Sequence, residues 1–210
     1  AGAITLVTSQ ADFKGTVSST KSLVGAASSD DIGNSDFQRL GANSLAMLSP
    51  NFNGGAGAVT IITSANQRGT ISSATSLVGA NPNDHLGDRD FGFFTNLGGG
   101  HWGARSTNGG LGSLTVLHDG VRTTGTVGSG NSLVGSVSGD AVGDGLIQIG
   151  SSPIWALKSS SLNGGAGAVT WVDRTTTPTG PVDSSNSLVG AAVGDLDAAG
   201  AQFNQLGGDN

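Results

Sequence analysis

The chain has no cysteine, which excludes disulfide staples, thiol catalysis and cysteine-based zinc sites together and leaves the compartment open. Charged residues are also scarce, at 11% against about a quarter in average globular proteins, so Ser, Thr, Asn, Gln and backbone amides must cover the surface. The nine Lys and Arg are scattered from Lys14 to Arg174, and the formal charge is −6 with an isoelectric point near 4.6. Nucleic acid and anionic membranes would be repelled by such a surface. Proline, at 5 residues, is too rare for a collagen-like or Pro-rich linker composition. The longest apolar runs, such as Gly57 to Ile62, fall far short of the roughly 20 residues that span a bilayer, so membrane insertion is not expected. No Met or basic-then-apolar leader precedes Ala1, which fits either a processed product or an excised piece of something longer.

Histidine is nearly absent too, and a hydrolytic triad needs one in position. His85, His101 and His118 lie in no nucleophile elbow and in no spaced metal motif, so an enzyme is not expected. His85 is replaced by Asp31, Ala141 and Leu196 at equivalent points of the chain, the pattern of a variable loop residue. Gly98 to Gly103 formally matches G-x-G-x-x-G, but no helix follows it and no βαβ unit surrounds it.

What the chain does have is glycine, 37 residues of 210, and repetition. Ser-Leu-Val-Gly occurs at Ser22–Gly25, Ser76–Gly79, Ser132–Gly135 and Ser187–Gly190, at spacings of 54, 56 and 55. Ala-Gly-Ala-Ile-Thr at Ala1–Thr5 returns at Ala56–Thr60, as Leu-Gly-Ser-Leu-Thr at Leu111–Thr115, and at Ala166–Thr170, each step being 55. Gly-Thr-Val at Gly15–Val17 returns at Gly69–Ile71, Gly125–Val127 and Gly180–Val182, where Pro181 replaces Thr. Five residues beyond each Ser-Leu-Val-Gly stands an Asp (Asp30, Asp84, Asp140, Asp195), followed in three units by Gly33, Gly87 or Gly143.

Four diverged units therefore span 1–55, 56–110, 111–165 and 166–210 within one repeat domain. Each reads as four short strands bounded by Gly and Asn turns: Ala-Val-Thr-Ile-Ile, Gly-Thr-Ile-Ser, the stretch around Phe37 or Phe91, and a last strand such as Ser44–Pro50. No helical period runs beyond a turn, so the class is all-β with almost no helix. A four-stranded unit of this length suits a β-propeller blade, which buries both faces only against neighbouring sheets; a β-solenoid is the alternative. The fourth unit lacks the counterpart of Ser44–Gly55, so a ring or fibre completed by strands lent between chains is expected, making self-association the leading partner prediction.

The order of a Gly-Ala-Val-Thr strand, a Leu-Val-Gly turn, an Asp-x-x-Gly loop and a strand ending in Ser-Pro (Ser49-Pro50, Ser152-Pro153) resembles the FG-GAP repeats of integrin-type propellers. Asn-Ser-Leu-Val-Gly at Asn131 and Asn186, with Asn163–Thr170, is also similar to tandem repeats of very large bacterial haemagglutinin-like and adhesin-like exported proteins. That resemblance implies a secreted or cell-surface adhesive scaffold. FG-GAP blades often carry a calcium loop, and the matching segments here offer Asp84 with Asp88 and Asp90, Asp140 with Asp144, and Asp30 with Asp36, though none completes Asp-x-Asp-x-Asp-Gly. The same Asp-x-x-Gly series can instead be a turn in which the carboxylate accepts backbone N–H groups and the Gly takes positive φ, and this reading is preferred.

Exposed aromatic rings can stack on sugars, which makes Trp102, Trp155 and Trp171, with His101 beside the first, the candidate ligand residues of a lectin-like alternative that would bind cell-surface glycans. Against it, Trp102 and Trp155 occupy the same strand position as apolar Leu45, and Trp171 stands where Ile61 and Val116 stand, which points to packing. What persists in every unit is Gly, Ser, Leu, Val and one Asp, and this is a scaffold.

Overall fold

The computed structural model describes residues 1–7, 14–32, 36–65, 68–90 and 92–196. These form four sheets. The first contains β1 (Ala3–Ile4), β2 (Leu23–Val24) and β6 (Gly69–Thr70). The second runs β3 (Phe37–Arg39), β4 (Leu45–Ser49), β5 (Ala58–Ile62), β7 (Leu77–Val78) and β11 (Gly125–Thr126). The third runs β8 (Phe94–Gly98), β9 (His101–Ser106), β10 (Ser113–His118), β12 (Leu133–Val134) and β16 (Gly180–Pro181), and the fourth β13 (Gly145–Gln148), β14 (Ile154–Ser159), β15 (Ala168–Asp173) and β17 (Ser187–Val189). Helix among the described residues is confined to single turns at Phe52–Gly55, Asn108–Gly110 and Leu162–Gly165. In these turns Asn53, Asn108 and Asn163 take positive φ, a conformation Asn tolerates better than other side chains.

The sheets are out of phase with the sequence units, and this corrects the expected blade. The second sheet takes β3 and β4 from the first unit, β5 and β7 from the second, and β11 from the third. Ser-Leu-Val-Gly, expected as a turn, supplies a strand (β2, β7, β12, β17) antiparallel to the first strand of its own unit. Among the described residues Gly-Thr-Val does not pair within its own unit. It runs parallel to the Ser-Leu-Val strand of the unit before, as β2 with β6, β7 with β11 and β12 with β16. Gly33 and Phe91, and the stretch beyond Leu196 that includes Ala198, lie outside the described residues.

Three cores fill the spaces between consecutive sheets, because alternate residues of each strand point to opposite faces. Between the first and second sheets lie Leu23, Ile71, Met47 and Ile62. Between the second and third lie Val59, Ile61, Leu77, Trp102, Leu117 and Val127. Between the third and fourth lie Leu114, Val116, Leu133, Trp155, Val172 and Val182. Consecutive sheets among the described residues thus grip one another through their faces and through one strand handed back.

Candidate functional site

The residues common to all units turn out to be structural braces. The Thr of the first strand and the Ser of Ser-Leu-Val-Gly share a hydroxyl hydrogen bond four times: Thr5 with Ser22, Thr60 with Ser76 and Thr170 with Ser187 at 2.7 Å, and Thr115 with Ser132 at 2.6 Å. The last glycine of the motif is forced by space, since a Cβ on Gly25, Gly79, Gly135 or Gly190 would lie 2.0–2.3 Å from the carbonyl oxygen of Ala1, Ala56, Leu111 or Ala166. No side chain fits there.

The repeated Asp ties two turns together. Asp84, 1% exposed, accepts the Asn81 N–H at 2.6 Å through one oxygen and the Gly109 N–H at 2.7 Å through the other. Asp30 does the same with Ala27 (2.7 Å) and Asn53 (3.0 Å), and Asp140 with Ser136 (2.7 Å), Val137 (2.9 Å) and Asn163 (3.1 Å). In each case the second partner sits in the single helical turn that leads into the next unit. The following residue (Asp31, His85, Ala141) takes positive φ, as do Gly87 and Gly143. This is the turn geometry, with both oxygens committed to backbone donors.

The other acidic candidates are dispersed. Asp88 accepts the Asp90 N–H at 2.9 Å and lies 3.9 Å from the His85 ring, and Asp90 is exposed. Asp36 forms an exposed ion pair with Arg89 at 3.0 Å. Asp144 accepts the Ser160 N–H at 3.0 Å and its hydroxyl. Among the described residues no three His, Asp or Glu side chains gather where they could hold a metal ion.

Trp102 is 7% exposed, stacks on Phe94 at a centroid distance of 5.1 Å and donates its indole N–H to the Leu40 carbonyl at 3.2 Å. Trp155 is 8% exposed in the next core. Both are packing residues between sheets. Trp171 is different: it is 63% exposed, although its counterparts Ile61 and Val116 are buried. The reason is position, since Ile61 and Val116 face the following sheet and β15 belongs to the last sheet described.

His101 pairs edge to face with His118 across β9 and β10, with centroids 4.8 Å apart. Burial and the neighbouring His101 push the His118 pKa below the usual imidazole range, although a backbone hydrogen bond at Thr176 opposes this. Two ties between hairpin ends were not anticipated. Asp119 accepts the Ser44 hydroxyl at 2.7 Å and the Asn43 N–H at 3.2 Å, bonds that hold its carboxyl below the ordinary value. Arg174 donates to the Leu97 carbonyl of the sheet before it. The signal was available in principle, for 119 and 174 are 55 apart and hence the same unit position.

One repeat profile, described as a repeat of unknown function (DUF5650), matches residues 1–34, 48–88, 100–144 and 149–198. The chain belongs to the DUF5650 repeat family. The second DUF5650 match, 48–88, enters on β4 and runs through β5, β6 and β7 to the Asp84 turn, so it spans a hairpin that crosses the unit boundary read from the motifs. The FG-GAP identity that the motifs resemble finds no support in the comparisons. No curated protein and no solved structure matches the chain.

Proposed function

We infer that this DUF5650 chain is a non-catalytic scaffold of an extracellular structural or adhesive protein, a succession of propeller-type blades that acts as spacer and assembly unit. One observation carries the reading: the side chains kept in every unit are spent on holding the fold. Among the described residues the Thr–Ser pairs and the Asp braces spend their polar atoms on bonds within the fold. A low-charge surface of net charge −6 suits an exported spacer and disfavours nucleic acid. The blade reading is favoured over a solenoid because equivalent strands β5, β10 and β15 lie in different sheets packed face to face, whereas solenoid coils stack equivalent strands side by side.

Trp171 favours a second reading, a carbohydrate-binding propeller, since its 63% exposed ring could stack on a sugar. A glycan array combined with sugar-dependent thermal shifts separates the two. Silence in both is the expected result. A shift specific to one sugar and lost in Trp171→Ala would replace the scaffold by a lectin.

A further inference from the structure

The handed-back strand recurs with one set of hydrogen bonds. Gly69 donates to Ser22 O and Ile71 to Val24 O, each at 3.0 Å; Gly125 to Ser76 O at 3.1 Å and Val127 to Val78 O at 2.9 Å; Gly180 to Ser132 O at 3.0 Å and Val182 to Val134 O at 2.9 Å. The central residue never donates to the paired strand, which is why Pro181 is tolerated there without loss of the ladder. Each junction also buries one aliphatic residue from either side. Ile71, Val127 and Val182 are 0–4% exposed, and Leu23, Leu77 and Leu133 are 0–3% exposed.

Two half-junctions are left over among the described residues. Gly15–Val17 forms no strand, and Val17 is 59% exposed. β17 is the outer strand of the fourth sheet, and Leu188 is 68% exposed. The faces behind them match in the same way. Trp171 and Leu188 present the outward face of the fourth sheet, while Val7, 43% exposed, follows β1 at the unit position of Ile62, which is buried on the second sheet. The two ends also carry opposite charges. Lys14 precedes the donor segment, and Asp183 lies in the loop before β17 where the inner units have Ser18, Ser72 and Gly128. At an inner junction the residue equivalent to Lys14, Arg68, reaches the Thr20 carbonyl of that loop at 3.3 Å.

We propose that the β17 edge is a docking site for a second copy of this chain, whose Gly15–Val17 segment adds to it as a parallel strand. Val17 enters the space between the fourth sheet of one copy and the first sheet of the next, covering Trp171 and Leu188, with Lys14 beside Asp183. The interface is heterologous, so it propagates head to tail. The proposal rests on the scaffold reading and names the partner of that scaffold.

Light scattering on Val17→Asp and Leu188→Asp tests it. Both positions are exposed, so each variant should keep the wild-type thermal midpoint when dilute. Wild type is expected to gain mass with concentration, while each variant alone associates on the order of a hundredfold more weakly, because a carboxylate would be buried without a partner. An equimolar mixture should stop at a dimer, since one variant retains a sound acceptor and the other a sound donor. A strictly monomeric wild type, or variants that assemble as well as wild type, would overturn the proposal. With no native Cys, disulfide trapping of Thr16→Cys against Val189→Cys is an independent readout, because the inner register places the equivalent Val134 opposite Pro181. A bond between chains supports the second copy. A bond closing within one doubly substituted chain shows that the fourth sheet closes on the first instead. Monomers that remain silent to glycans leave the scaffold reading intact, and assembly accompanied by a sugar shift removes it.

Discussion

At the scale of single residues, the repeated Asp joins two separate turns in each of the first three units. Asp84 is buried and holds two backbone N–H groups, one of them 25 residues further along the chain. Replacing it by Ala leaves both donors without a partner, at a cost of about 1–3 kcal/mol for each buried group. Asp84→Ala is therefore expected to lower the urea midpoint strongly, whereas EDTA should leave wild type unmoved. A midpoint that rises with calcium and falls with EDTA would return Asp84 to the role of a metal ligand. The sequence made this residue visible, since it recurs at a fixed five residues beyond Ser-Leu-Val-Gly, and also its turn chemistry, since a Gly follows three residues later. It did not show that the second donor comes from the helical turn that closes the same unit. That contact depends on how consecutive sheets stack, and nothing in the local pattern encodes it.

At the scale of elements, the short strands were the hard part. Leu23–Val24 and Gly69–Thr70 are two residues each, too short for alternation to be seen, so Ser-Leu-Val-Gly reads as a turn until its partners are known. Phase was illegible for a different reason: a period has no origin, and the same repeats can be cut into blades at any point. The β9–β10 hairpin gives a test of the electrostatics at one strand end. His118 lies there against His101, with Asp173 and Arg174 of β15 and its following turn near the pair. The folded-state pKa of His118 lies below its unfolded value near 6.5, so the unfolded chain binds more protons in the interval between them. Stability from this group is then complete above pH 6.5 or so and is lost as pH falls through that interval. The urea midpoint should decline from about pH 7 towards pH 5, and His118→Thr, the residue at the equivalent Thr63, should flatten that decline. An unchanged slope in the variant would assign the acid sensitivity to other groups. Asp119 acts lower on the scale: its depressed pKa, caused first by the Ser44 hydroxyl, keeps its clamp until pH falls below the ordinary carboxylate range.

At the scale of the whole molecule, stability should follow the row of sheets. In a repeat array each unit contributes its own folding free energy plus an interface with each neighbour, so an inner sheet is held from two sides and a terminal sheet from one. The second and third sheets each contribute to two cores, while the first and fourth contribute to one. Trp171 illustrates how position overrides residue type: its aligned counterparts are core, and it is exposed because its sheet is last in the described row. Native-state hydrogen exchange should accordingly find the slowest amides in β4, β5, β9 and β10 and the fastest strand amides in β1 and β17. Raising the protein concentration adds a discriminating step. If copies dock end to end, protection should grow at Gly15–Val17, β1 and β17 and stay constant in the inner sheets, because the new interface adds free energy only where the row was open. Uniform protection across all sheets, independent of concentration, would instead mean a single cooperative closed ring, in which no sheet is terminal and both open edges are already paired within one chain.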